Sequence, residues 1–325
     1  MSKTYRWGIL GAGRIADKFC TALSFVEGSE VYAVASRDIE KAKSYAARYH
    51  AAKVYDNYND LVKDDDVDII YIATPHAFHY EQTINCLEHK KPVLCEKPVA
   101  LSYRQAMEMV NAAKENDVFF MEGMWTACMP FIEKIKSLIN DDVIGKPQNL
   151  SADFGFSAPV DLEGRLYKKA LGGGSMMDVG IYPLFLATLI LGEPSLIKSV
   201  SKLSGSGVDE YMNVVLQYGN EASAHLLSSI SFNTPIEAVI MGTKGRIEIQ
   251  QPWFKATDFL VHLNDGTVQN FSIPHLSNGF EYEIIEVMRC LDNGLLESSK
   301  MPHQLTLSIS KIIEDILKQA GVSYE

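Results

Sequence analysis

Short apolar runs alternate with amphipathic stretches through the first third of this chain. YRWGIL (5–10) predicts a strand, residues 14–27 a helix, and VYAVASR (31–37) a second strand. DIEKAKSYAARY (38–49) predicts an amphipathic helix with Asp38 near its start, and KVY (53–55) a short strand. DIIYIATP (68–75) is apolar almost throughout, as expected of a central strand buried on both faces. A helix over 78–89, the strand PVLCE (92–96), a helix over 102–116 and the strand VFFME (118–122) follow. Strands separated by helices of this length predict a parallel sheet built from right-handed crossovers.

The rhythm then changes. Residues 129–140 read as a helix leading into VIGKPQ, a turn region. From 196 onward IKSVSKLS, EYMNVVLQY, ASAHLLSSISF, IEAVIMG, GRIEIQ, FLVHL and TVQNFSI are strand candidates. Turns such as Tyr218-Gly219-Asn220 and Asn264-Asp265-Gly266 separate several of them, which predicts a mostly antiparallel sheet. Helices near 280–292 and 304–319 close the chain. The expected fold class is α/β: a doubly wound parallel sheet over 1–124, then an α+β substrate-binding and dimerisation domain with a large open sheet over 125–325. The last helix could pack back on the first domain. An open sheet has two faces to cover, and a second subunit on one of them gives the expectation of a homodimer.

Composition narrows the class. The chain has 325 residues, 47% apolar and 22% charged, and a formal net charge of −11. That charge repels nucleic acid and anionic membranes, so neither is an expected partner. No run of 18 apolar residues occurs, and charge begins at Lys3. Cys20, Cys86, Cys95, Cys128 and Cys290 are odd in number and lack CxxC spacing, which points to a reducing, cytoplasmic setting.

The first strand runs into GAGRIA (11–16), a G-x-G-x-x-G/A turn. Gly11 suits the tight turn and Gly13 a close backbone approach to a pyrophosphate. Arg14 and Ile15 open the helix whose N-terminus offers N–H groups to the phosphates, and Ala16 allows close helix–strand packing. This is the dinucleotide site of a Rossmann domain. The second strand ends in Ser36-Arg37, where NAD sites carry an acid; a guanidinium there suits a 2′-phosphate, so NADP is expected and NAD remains possible. A one-residue shift would instead make Asp38 the ribose ligand, and Arg37 could simply pair with Asp38 or Glu40. The fourth strand ends in ATPHAFH (73–79), which puts Thr74 and His76 at the switch point. His76 and His79 form H-x-x-H, yet no glutamate lies inside the motif, so cofactor-facing or capping roles are expected and no metal. CEKP (95–98) ends the fifth strand with Glu96 and Lys97 side by side. LGGGSMMDVGIYPLF (171–185) places Asp178 and Tyr182 four apart, on one helix face after a glycine loop. They suit a proton-transfer pair; equally, Asp178 could cap or pair structurally while Tyr182 is core.

GAGRIA, ASR, ATPHAFH, CEKP, MEGMWT and GGGSMMDVGIYP, in this order, resemble the glucose–fructose oxidoreductase, inositol dehydrogenase and rhizopine-catabolism oxidoreductase family. The resemblance covers nearly the whole chain and is strongest to the branch of dimeric dihydrodiol dehydrogenases and NADP-dependent xylose dehydrogenases. It implies hydride transfer between a nicotinamide and a carbinol carbon of a sugar or cyclic diol. It implies that Lys97 stands beside the nicotinamide, with Glu96 holding it or approaching the cofactor. It implies that Tyr182 is catalytic, with Asp178 as the third member. Many members have histidine where this chain has Tyr182, so a histidine mechanism does not carry over. The resemblance also implies that Trp125, Phe154 and Phe280 line the substrate pocket and that His79 stands near the coenzyme. Arg165, in PVDLEGRLYKKA (159–170), either meets substrate or lies on the surface.

Two other readings remain. A non-catalytic NADP sensor would keep GAGRIA and Ser36-Arg37 but need neither Lys97 nor Tyr182. An enzyme that retains its cofactor through a cycle without net redox change would need them. The first strand begins at once, without an arm to clasp the cofactor, so an exchanging cofactor is expected.

Overall fold

The computed structural model describes residues 3–219 and 221–324; Asn220, in one of the expected turns, lies outside them. The chain divides into two compact units, 1–128 with 275–306 and 129–274 with 307–325. The segment 275–306 thus belongs to the first unit although it follows the second in sequence. One reason is visible at Tyr5, whose hydroxyl donates to Asp292 at 2.7 Å.

In the first unit the elements are β1 (Tyr5–Leu10), α1 (Arg14–Leu23), β2 (Ser29–Ala35), α2 (Ile39–Tyr49), β3 (Lys53–Tyr55), α3 (Tyr58–Val62), β4 (Ile69–Ile72), α4 (His79–Glu88), β5 (Val93–Glu96), α5 (Tyr103–Asn116) and β6 (Phe120–Gly123). Six parallel strands run in the order β3-β2-β1-β4-β5-β6, so the order reverses between β1 and β4. That reversal leaves a crevice above the carboxyl ends of β1 and β4. β4 reads IIYI and is buried at every position, as a strand covered on both faces requires. α2 and α5 begin at side-chain caps. Asp38 accepts from Glu40 N at 3.1 Å and Lys41 N at 3.3 Å. Ser102 accepts from Gln105 N at 3.3 Å while the Gln105 side chain accepts from Leu101 N at 3.1 Å, a reciprocal arrangement at the start of α5.

The second unit holds α6 (Pro130–Asn140), β7 (Pro147–Gly155), α7 (Ile181–Leu191), β8 (Leu196–Leu203), β9 (Asp209–Gln217), β10 (Ser223–Ser229), β11 (Ala238–Gly242), β12 (Gly245–Ile249), β13 (Asp258–Leu263) and β14 (Val268–Ser272). α8 (Glu281–Asp292) belongs to the first unit, and α9 (His303–Gln319) begins there and ends in the second. Eight strands run β14-β13-β12-β11-β7-β10-β9-β8, antiparallel except where β7 meets β10. Met212, Val214, Leu216, Ala224, Leu226, Ile240 and Ile247 form the buried face of this sheet. The opposite face carries Leu196, Val200 and Val215, exposed by 45%, 70% and 44%. The expected turn region VIGKPQ (143–148) gives way at Pro147 to β7, a central strand. The helical stretch Lys169–Leu191 is long and apolar enough to cross a membrane, but 83% of its most apolar window is buried within the protein, so it is a core helix.

Candidate active site

In the first unit the two motif glycines have different physical reasons. Gly11 has φ +98°, and a Cβ there would lie 3.0 Å from Ala73 O and 3.1 Å from Thr74 Cγ2. The chain itself therefore demands glycine. Gly13 has φ −102° and ψ 178°, ordinary extended backbone, and a Cβ there would find only Ala73 O, at 3.9 Å. The protein leaves room at Gly13 that a pyrophosphate can fill. Gly13 caps α1 without a side chain, so the N–H groups of Arg14, Ile15 and Ala16 lead the helix toward that space. The Tyr45 hydroxyl, from α2, donates to Gly13 O and braces the turn.

At the end of β2, Ser36 is buried and its hydroxyl accepts from Asp38 N at 3.2 Å, while Arg37 is exposed. The Arg37 guanidinium lies 5.5 Å from the centre of the Phe78 ring. The Asp38 carboxylate is held by its own helix cap. The residues present therefore fit a nicotinamide dinucleotide with a charged adenosine end, which Gly13, the α1 N-terminus and Arg37 would hold.

The β4 and β5 turns are tied together by His79. It is fully buried, with Nε2 2.8 Å from Thr74 O and Nδ1 2.9 Å from Pro98 O. Burial first, and the Lys97 charge last, hold its pKa below the ordinary histidine value, against the pull of the two carbonyls. His79 thus links the Thr74 and Lys97-Pro98 turns, and the His76 ring centre lies 5.7 Å from its own. Thr74 Oγ1 donates to Gln82 Oε1 at 2.7 Å.

Lys97 is half-buried at the end of β5. Three buried carboxylates surround this strand end. Glu96 accepts from the Tyr71 hydroxyl. Glu122, opposite Cys95 on β6, accepts from Val99 N at 3.0 Å and from Thr306, and its other oxygen has no partner. Burial pushes Glu122 up to about 7; the Lys97 charge pulls the other way. Glu283, on α8, is fully buried with neither oxygen hydrogen-bonded, and burial followed by the Glu96 charge drives its pKa well above the carboxylate range. Trp125 stacks on Phe280 at 4.3 Å, Phe280 meets Phe19 edge-on at 6.4 Å, and Phe19 stacks on Tyr71 at 3.7 Å. This aromatic ladder ends at Glu96. Phe280 is 1% exposed and Trp125 6%.

A raised carboxyl pKa makes stability depend on pH. Folded Glu122 binds its proton more tightly than an ordinary glutamate at 4.5, so its contribution is complete below about 4.5 and is lost as pH rises through about 7. The loss is on the order of 3 kcal/mol. Glu122→Gln stays neutral throughout. Urea unfolding at about pH 5 and about pH 7.5 should show the variant gaining on the wild type by about 2 kcal/mol at the higher pH; a pH-independent gap would show that folded Glu122 titrates like an ordinary glutamate.

In the second unit Tyr182 lies on the first turn of α7 and is 6% exposed. Its ring packs 5.4 Å from Phe154 and 5.4 Å from Phe254, and those two rings stack at 4.3 Å. Phe254 is absent from the sequence reading; its only signal is an aromatic pair after a proline in QPWF (251–254), with no periodicity. Trp253 fixes it by donating from Nε1 to Asp153 O at 2.8 Å. Met176–Gly180 is π-helical and α7 begins at Ile181, so Asp178 and Tyr182 straddle a change of helix type rather than sharing a regular α-helical face. Asp178 is paired with Arg165 at 2.6 Å, and Arg165 is 46% exposed. Among the described residues no group of three or more His, Cys, Asp or Glu is arranged to hold a metal ion.

Residues 5–124 match the model of an oxidoreductase family with an NAD-binding Rossmann fold, and residues 132–248 match the GFO/IDH/MocA C-terminal domain. Trans-1,2-dihydrobenzene-1,2-diol dehydrogenase of Xenopus tropicalis is 35% identical over 334 residues, covering 98% of this chain and 99% of the relative. The Homo sapiens enzyme of that name is 31% identical, covering 98% of each. The structure of aldose-aldose oxidoreductase from Caulobacter crescentus, complexed with glycerol, has a TM-score of 0.89 at 26% identity, covering 98% of each chain. A 3-ketoreductase from Actinomadura kijaniata in complex with NADP and TDP-benzene has a TM-score of 0.86 at 23% identity, again covering 98% of each, a likeness of fold alone.

Proposed function

The chain belongs to the GFO/IDH/MocA oxidoreductase family, and from that premise we propose that it transfers a hydride between NADP and a carbinol carbon of a sugar or cyclic diol. Its relatives named as diol dehydrogenases and as an aldose oxidoreductase support this substrate range. The observation that carries the NADP choice is at the end of β2. Arg37 is exposed there, and Asp38, the acid that could serve a ribose, is committed to capping α2.

When bound, the nicotinamide supplies or accepts the hydride. The residues of this chain manage the proton. Oxidising an alcohol requires a proton to leave oxygen, and tyrosine, with an ordinary pKa of about 10, is a weak base at neutral pH. Tyr182 takes that proton as phenolate, a form that a lysine ammonium favours. In the reductive direction Tyr182 gives the proton back and Lys97 polarises the carbonyl. The Asp178–Arg165 pair holds the segment before α7 in place. Phe154 and Phe254 offer a flat apolar wall that suits the face of a ring. The five thiols are all unbridged and buried, in keeping with work in the cytoplasm. The exposed Leu196, Val200 and Val215 suit a homodimer joined through the open sheet face, which sedimentation velocity reads directly.

The test is NADP reduction followed across trans-dihydrodiols, aldopentoses, aldohexoses, inositols and short vicinal diols, each repeated with NAD. Turnover with one class and NADP is expected. Arg37→Gln should raise the KM for NADP about tenfold or more, the value of one charge-assisted phosphate contact, and leave that for NAD nearly unchanged. Equal KM changes for both cofactors would remove Arg37 as the selector.

A further inference from the structure

Asp209, the first residue of β9, is fully buried and has no role in the chemistry above. Its Oδ2 accepts from the Ser175 hydroxyl at 2.6 Å and from Met176 N at 2.7 Å. Ser175 Oγ also lies 3.0 Å from Ser228 Oγ on β10. These partners are the start of the wide π-helical turn Met176–Gly180 that leads into Tyr182. The other oxygen, Oδ1, has no hydrogen-bond partner. It faces Gly174, where φ is +112° and a Cβ would collide with Oδ1 and stand 3.0 Å from the Tyr324 hydroxyl. Tyr324, near the end of the chain, donates that hydroxyl to Gly173 O. The glycine loop is thus held between a carboxylate from the sheet and a phenol from the C-terminal segment, and its own glycines let both come close.

Burying a carboxylate and leaving half of it unpaired is costly, and burial indeed raises the Asp209 pKa to about 6. An apolar residue of similar size would fill the space at less cost. What a carboxylate adds is short, directional acceptance from a hydroxyl and a backbone N–H at one fixed point. π-helical turns are frequent at functional sites. We propose that Asp209, with Tyr324 as its companion on the glycine loop, is a positioning residue that sets where Tyr182 stands by anchoring the turn from which α7 starts. This rests on the reading of Tyr182 as the proton-transfer group.

A displacement of about 1 Å at a reacting group can cost about 100-fold in rate. Asp209→Ala, assayed per NADPH-binding site by fluorescence titration, should therefore lose about 10- to 100-fold in kcat with the Kd for NADPH unchanged and substrate KM altered far less. Asp209→Asn keeps an acceptor at the same point and should recover most of that loss. A purely structural role would lower Tm and soluble yield but leave kcat per binding site intact. Should Asp209→Ala not fold, Ser175→Ala and Tyr324→Phe decide: each removes one tether and should lower kcat per site several-fold, and wild-type kcat in both overturns the proposal. Tyr182→Phe is measured alongside. Full turnover there overturns the reading of Tyr182 and the positioning role with it. Lost turnover there, with full turnover per site in the Asp209 variants, overturns the positioning role alone.

Discussion

Replacing Lys97 with methionine is expected to lower turnover about 1,000-fold while NADPH still binds. Methionine has nearly the length and flexibility of lysine, so the half-buried stem at the end of β5 keeps its packing and only the charge is lost. The Lys97 charge acts on its surroundings even without substrate, since it lowers the proton affinity of both His79 and Glu122. A developing alkoxide or phenolate would lose the same field. An interaction made mainly in the transition state shows as equal falls in kcat and kcat/KM, with the Kd for NADPH held by Gly13, the α1 N-terminus and Arg37. Stopped-flow hydride transfer and fluorescence titration of NADPH measure the two separately. Turnover close to wild type would remove Lys97 from the chemistry. A fall in NADPH affinity as large as the fall in kcat would make it a cofactor anchor instead.

The second large effect is expected at Gly13. Gly13→Val should abolish detectable NADP binding, a loss of about 100-fold or more, with Tm nearly unchanged. The backbone there is extended, which any residue adopts, and the only neighbour within reach of a Cβ is Ala73 O at 3.9 Å. A valine side chain would therefore stand in the space left for the phosphates without straining the fold. Gly11→Ala is the control with the opposite pattern. Its φ of +98° and the 3.0 Å approach to Ala73 O should destabilise the first unit by about 1–3 kcal/mol. Calorimetry and NADP titration on both variants separate a glycine the fold needs from one the ligand needs. If Gly13→Val bound NADP normally, the pyrophosphate could not lie against this turn.

Much of this protein was legible in the chain because the signals are local. The parallel first sheet follows from alternating apolar runs and helices, and GAGRIA lies directly after the first strand. The strands from 196 onward announce themselves by alternation along hairpins. β7 escaped because PQNLSADFG has mixed burial and finds its partners in β10 and β11, far along the chain. Asp38 could be a ribose ligand or a cap until the start of α2 was built around it. His79 was expected near the coenzyme, and only the fold shows its ring nitrogens set against two backbone carbonyls, Thr74 O and Pro98 O.

The sequence alone determined the fold class, and it singled out the dinucleotide turn, Lys97 and Tyr182, since each lies in a short motif of neighbouring residues. Only the tertiary structure decided what surrounds them: the carboxylates Glu122 and Glu283 gathered about the strand end of Lys97, Phe254 stacked on Phe154 beside Tyr182, and Asp209 and Tyr324 closing on the glycine loop. Those groups come from strands, helices and a chain end distant in sequence. A buried charge or a stacked ring acquires its pKa and its role from neighbours that folding brings within a few ångströms, and no local pattern encodes them.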